Sequence, residues 1–151
     1  KSMSLRVYLS GEIHTNWREL ITNKTNEMGL DVRFQHPVLD HELSDNCGSI
    51  LMGSEEKKFW HDHKGAKLNA LRTQNAIKNA DIMVVRFGEK YKQWNAAFEA
   101  GYAAALGTPL IVIHSEEHQH ALKEVDAAAL VVLDDPEKVV NALNYILEGK
   151  L

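Results

Sequence analysis

Three short runs constrain this chain most: LRVYLSG (5–11), DIMVVRFG (81–88) and PLIVIHS (109–115). Each is rich in β-branched or aromatic residues and ends on the polar or glycine residues that follow strands. LDVRFQ (30–35) and ALVVL (129–133) are weaker strand candidates. Between them, residues 16–28, 64–79, 95–106, 118–127 and 136–148 carry helical spacing. Strands alternating with helices imply βαβ units, a parallel sheet and right-handed crossovers. The expected fold is therefore α/β, a single doubly wound five-stranded parallel sheet of flavodoxin-like kind with helices on both faces. Pro37 to His63, rich in Asp, His, Ser and Gly, reads as one long irregular connection, the usual form of a functional loop or lid. With no internal repeat or linker, residues 3–151 read as one domain. Lys1-Ser2 ahead of Met3 looks like a leftover of cloning.

Bulk properties narrow the function classes. A length of 151 residues fits one domain with one substantial core, and 44% hydrophobic with 25% charged residues is ordinary globular composition. A formal charge of −4 speaks against a general nucleic-acid binder, which normally shows a basic surface. No uninterrupted apolar stretch approaches the roughly 20 residues of a membrane helix, and the opening KSMSLRVYL lacks a signal-peptide core. Cys47 is the single cysteine, so a reduced, cytoplasmic setting is expected, with Cys47 a free loop thiol.

In open parallel sheets, ligands bind beyond the carboxyl ends of the strands, where the strand order switches. Those ends carry Ser10-Gly11-Glu12 and the stretch from Arg86 to Asn95. The next segment, QWNAAFEAGYAAALGTP (93–109), sets one carboxylate, Glu99, in a run of small residues. Asn95 reads as the N-cap, which places Glu99 just inside a helix whose dipole favours the anion. A solvated helix glutamate is the plain alternative. Position at the strand-end cleft, after Tyr91 and Trp94, points instead to a nucleophile or a stabiliser of a developing cation.

AAFEAGYAAALGTPL is similar to the Glu-x-Gly-Tyr-Ala…Gly-x-Pro segment of the nucleoside 2-deoxyribosyltransferase superfamily, which includes nucleotide N-glycoside hydrolases. VYLSGEI resembles that superfamily's first strand and NADIMVVRFG its third. Through GEIHTNWRE, SDNCG and FGEKYKQWN the chain most resembles the small bacterial YtoQ family, over nearly its whole length. The resemblance implies a nucleoside 2-deoxyribosyltransferase-like domain. Glu99 would attack the anomeric carbon of a (deoxy)ribosyl group, and Tyr8 would orient it. It also implies a homo-oligomer in which neighbouring subunits complete the site. One feature departs: where the superfamily usually has an Asp that helps the leaving base, this chain has Thr73, preceded by Arg72.

Several residues stand as candidates around this centre. Gly11 and Glu12 end the first strand, and Glu12 is either a replacement carboxylate or an exposed loop acid. Arg72, with Asn69 one turn earlier, either holds a phosphate or is surface. Tyr91, Trp94 and Asn95 would stack on a base or close the pocket. Asp81 reads as a cap or structural hydrogen-bonder. His61, Asp62 and His63 in WHDHKG lack a third ligand at a defining spacing, and SGEIHTNW lacks the Gly-x-Gly-x-x-Gly of a dinucleotide site. No metal and no cofactor is expected. The partner is a nucleoside or nucleotide, not a nucleic-acid polymer or a membrane. Transferase or hydrolase chemistry is one reading; a binding protein that keeps the pocket without the chemistry is the other.

Overall fold

The computed structural model describes residues 4–149; Lys1-Ser2, with their reading as a cloning leftover, lie outside them. The chain runs β1 (Leu5–Gly11), α1 (Trp17–Glu27), β2 (Val32–Gln35), α2 (His41–Met52), α3 (Lys58–Asn79), β3 (Ile82–Arg86), α4 (Trp94–Leu106), β4 (Leu110–Ile113), α5 (Lys123–Ala128), β5 (Val131–Leu133) and α6 (Glu137–Glu148). The strands form one sheet in the order β2-β1-β3-β4-β5, every pair parallel. This is the expected α/β architecture, and the order reverses between β1 and β3.

Side-chain alternation along the central strands divides the core in two. Val7, Leu9, Ile82, Val84, Ile111 and Ile113 face α1 and α6, around the buried Trp17. Tyr8, Met83, Val85, Leu110 and Val112 face α3 and α4. Helix α4 meets that second face through Ala96, Ala100 and Ala103, all buried, so its axis lies close to the strands. It ends at Gly107 in the left-handed conformation (φ 78°), the usual way to close a helix. Asp81 behaves as read: its carboxylate accepts the Arg6 N–H at 2.8 Å, tying β3 to β1.

Two segments differ from expectation. Pro37 to His63 is not one irregular loop: α2 occupies much of it, and α3 begins at Lys58 rather than 64. Asp40 caps α2 by accepting the Leu43 N–H at 3.0 Å. The reason for the miss is the way α2 packs. It crosses α3 at Gly48 and Gly65, where an added Cβ would lie 2.9 Å from the Gly65 nitrogen or 2.8 Å from the Asp45 carbonyl. Contact of backbone on backbone admits the small and polar residues (Ser44, Asp45, Asn46, Gly48) that made the segment read as loop. Cys47 accordingly lies on α2, half-buried, with its thiol 3.6 Å from the Gly65 carbonyl. The second difference is residues 118–127, which form a short 3₁₀ turn (Glu116–His118) followed by the brief α5. Among the described residues no helix is long and apolar enough to cross a membrane.

Candidate functional site

Strand alternation places Ser10 on the same face of β1 as Tyr8, towards α4. The Ser10 hydroxyl donates to Glu99 Oε1 at 2.8 Å. Burial raises the Glu99 carboxyl above its ordinary value, while the Ser10 hydrogen bond and the Arg18 charge work the other way. Helix α4 starts at Trp94, so Asn95 is inside its first turn rather than capping it. Gln93 holds the cap position without a side-chain cap bond, and its amide oxygen accepts the Gly88 N–H at 3.1 Å instead. Glu99 therefore lies in the second turn, where the helix-terminus field has already faded. Its ionisation is governed by burial and neighbouring groups.

Tyr8 is fully buried, and its hydroxyl has no protein partner of acceptable hydrogen-bond geometry. Burial raises its phenol above the ordinary 10.0; the Thr73 side chain opposes this and the nearby Glu99 charge adds to it. The hydroxyl that holds Glu99 is thus Ser10's, with Tyr8 beside the pair. Sequence reasoning did not single out Ser10, and nothing in a serine at a strand end would have flagged it.

The turn after β1 is organised by two charges. Arg18, buried on α1, donates to three backbone carbonyls: from Nε to Leu9 (3.1 Å), from Nη1 to Glu12 (2.7 Å) and from Nη2 to Gly11 (3.2 Å). Burial lowers its pKa to about 10, opposed by Glu12, Tyr8 and Glu99. Arg18 was also missed, because an arginine after Trp17 looks like surface until its head group is found on the strand carbonyls. Glu12 is neither exposed nor available as a second acid. Its carboxylate accepts the His14 N–H (2.7 Å), the Thr15 N–H (3.1 Å) and the Thr15 hydroxyl, and pairs with Arg86 at 2.5 Å. Burial alone would raise Glu12, but these donors outweigh it and hold the carboxyl below its ordinary value. Gly11, at φ 117°, passes so close to β3 that an added Cβ would lie 2.1 Å from the Arg86 carbonyl oxygen.

Above these residues lies a cleft of two lobes. The larger, about 660 Å³, is walled by α2, α3 and α4 and includes Arg72, Thr73, Phe98 and Tyr102. The smaller, about 370 Å³, lies under the β1–α1 turn and the β3–α4 loop and includes Gly11, Glu12, His14, Tyr91 and Trp94. Glu99, Asn95, Ile13 and Pro37 border both. The larger lobe has the size of a small-molecule pocket. Trp94 is 76% exposed at the lip, with the Lys92 ammonium 5.9 Å from its ring centre. Tyr91 packs on His14 at 4.6 Å, with Lys90 at 5.4 Å.

The suggested phosphate pair is engaged otherwise. Arg72 Nη1 donates to the His36 carbonyl at 2.9 Å, and Asn69 Nδ2 to the Ser44 carbonyl at 3.0 Å. The histidines of WHDHKG lie on α3: His61 Nδ1 is 2.7 Å from the Ser49 hydroxyl, and His63 stacks on Phe59. Among the described residues no three His, Cys, Asp or Glu side chains gather as a metal site.

A sequence profile described as "Nucleoside 2-deoxyribosyltransferase YtoQ" matches residues 8–147, which span Tyr8, Ser10, Arg18, Thr73 and Glu99. The chain belongs to the YtoQ family. A Bacillus subtilis (strain 168) member, described as "Uncharacterized protein YtoQ", is 42% identical over 146 residues, covering 97% of this chain and 99% of that protein. A solved structure, a conserved protein from Enterococcus faecalis V583, superposes with a TM-score of 0.65, covering 96% of this chain and 100% of that one. At 12% identity it supports the fold alone. The YtoQ-family match thus spans nearly the whole of this sequence, and the family is nucleoside 2-deoxyribosyltransferase-like.

Proposed function

We propose that this protein cleaves or transfers the N-glycosidic bond of a nucleoside or nucleotide, with Glu99 as nucleophile. The observation that carries the reading is the place of Glu99: half-buried, held by Ser10, and bordering both lobes of the cleft. An anomeric carbon above Glu99 would have its base in one lobe and the rest of its sugar in the other. In the first step Glu99 attacks that carbon through an oxocarbenium-like transition state, and in the second water or another base releases the sugar. Arg18 supports the carboxylate electrostatically from behind β1, favouring the anion that burial disfavours. Tyr8 supplies an unengaged hydroxyl beside the nucleophile. Tyr91 and Trp94 offer exposed rings for a base at the lip. Gly11, Glu12 and Asn95 shape the smaller lobe, and Arg72 the larger; Arg18 and Glu12 hold the end of β1 that carries Ser10.

Thr73, beside Tyr8 in the position of the usual acid, favours a second reading: a pocket that binds a nucleoside without turning it over. A panel of nucleosides and 5′-nucleotides, with Glu99→Ala as control, separates the two. Release of free base and a glycosyl adduct on Glu99, both absent in Glu99→Ala, is the expected result. Binding without release or adduct selects the second reading. We also propose a cytoplasmic homo-oligomer. The exposed Leu51, Phe59, Trp60, Trp94 and Phe98 supply apolar surface for such an assembly, and light scattering of the purified chain tests it.

A further inference from the structure

Among the described residues, the cleft around Glu99 brings no second acid to match it. Around Glu99 stand Ser10, Tyr8, Thr73 and Arg18, none of which gives up a proton readily near neutral pH. The other cleft carboxyls are elsewhere or occupied. Glu12 is saturated by four donors. Asp62 accepts the Lys58 ammonium on both oxygens and precedes Thr73 by 11 residues of α3, about 16 Å at the helical rise. The Asp45 backbone on α2 crosses α3 at Gly65 and its charge acts on Lys58, at the Asp62 end of α3, and Gly65 is about 12 Å along α3 from Thr73. A neutral base leaving a sugar must gain a proton, and a placed general acid contributes about 10²–10⁴-fold to such a step.

We propose that this cleft serves N-glycosides whose leaving base is already a cation, such as a pyridinium or an N7-alkylated purine. The proposal rests on Glu99 being the nucleophile. With such a substrate the Glu99 oxygen bonds to the anomeric carbon as the C–N bond breaks. The electron pair of that bond goes to the glycosidic nitrogen and neutralises the cationic ring (the pyridinium itself, or the N7–C8–N9 imidazolium of the alkylated purine), so the base leaves without a proton. Water then attacks the glycosyl ester, restores the Glu99 carboxylate and releases one proton to solvent. The lip fits the same charge: Tyr91 and Trp94 already receive the Lys90 and Lys92 ammonium groups near their rings, the mode in which a cationic heterocycle would take their place.

The test is base release by the full chain at pH 6, background subtracted, from matched pairs: 7-methylguanosine against guanosine, and the same pair as 2′-deoxynucleosides. Nicotinamide riboside is an additional cationic probe. The kcat/KM for the cationic member of a pair is expected to exceed its neutral partner's by about 100-fold or more, the lower end of the missing acid's contribution. A smaller ratio overturns the proposal. So does neutral-nucleoside release that disappears in His14→Ala, which would identify the imidazole lining the smaller lobe as the acid. In both cases Glu99 remains the nucleophile. If no member releases base and no glycosyl adduct forms on Glu99, the N-glycoside reading itself fails, and this proposal with it.

Discussion

Tyr8→Phe separates what the fold needs from what the cleft needs. The Tyr8 ring fills the core between β1, α3 and α4, while its hydroxyl is buried without a protein partner. Burying a hydroxyl unbonded costs about 1–3 kcal/mol in proteins, and the contacts of one oxygen return only a few tenths. Phenylalanine keeps the ring and removes the unpaired group. The variant should therefore be more stable than the parent by about 1 kcal/mol, which raises Tm by about 2–4 °C for a domain of this length. Urea unfolding at pH 7 measures this as a higher midpoint at unchanged slope. Base release should fall by about tenfold or more in the same variant, since the hydroxyl beside Glu99 is gone. A loss of more than about 1 kcal/mol would refute the reasoning by showing that the hydroxyl is bonded. The partner to suspect is Thr73, so a cycle with Thr73→Val decides the matter. Coupling near zero is expected, and coupling of about 1 kcal/mol sinks the argument.

Other substitutions probe the remaining supports. Because burial raises the folded-state pKa of Glu99, the stability linked to its protonation is full below the unfolded value and lost as pH rises through the folded one. Glu99→Gln should thus gain stability relative to the parent at pH 7 and show no pH-linked gain at pH 4; urea midpoints at the two pH values measure it. Arg18→Met strands carbonyls of Leu9, Gly11 and Glu12 and should cost about 3 kcal/mol or more by the same assay. Arg18→Lys should recover part of that stability and shift the acid limb of base release back towards the parent's. Gly11→Ala combines a left-handed backbone with a Cβ 2.1 Å from the Arg86 oxygen. A destabilisation of about 3–5 kcal/mol is expected by thermal melting, and a change under 1 kcal/mol would show that β1 and β3 can part there.

Legibility in the sequence followed the kind of contact each residue makes. The runs that became β1, β3 and β4 have apolar centres (7–9, 82–85 and 110–113) because both faces of those strands are covered there, and that pattern is local. Glu99 stood out because small residues around it announced a close helix, and Ala96, Ala100 and Ala103 among them did turn inward, while Gly101 faces solvent. Helix α2 was hidden because its middle is built of Ser, Asp, Asn and Gly, the residues of a loop, which close packing against Gly65 of α3 admits. Arg18 and Glu12 were hidden for a different reason. Their roles depend on strand carbonyls and on Arg86, 74 residues beyond Glu12, which no local spacing reveals. Asn95 was misplaced by two positions because the cap position fell to Gln93, whose side chain is engaged elsewhere, and not to the better capping residue.

The spacing of Tyr8 and Ser10 along β1 has a consequence for how such a protein can change. The two share the face of β1 turned towards α4 because they are two apart, while Val7 and Leu9 between and beside them serve the opposite core. Insertion or deletion of one residue early in β1 would exchange the sets, presenting apolar side chains to Glu99 and driving a hydroxyl and a phenol into the Trp17 side. Variation inside this strand is therefore all-or-none. Graded adaptation to new substrates is left to the β1–α1 turn, the β3–α4 loop and the α2–α3 wall, which can lengthen or reshape while the strand keeps its count.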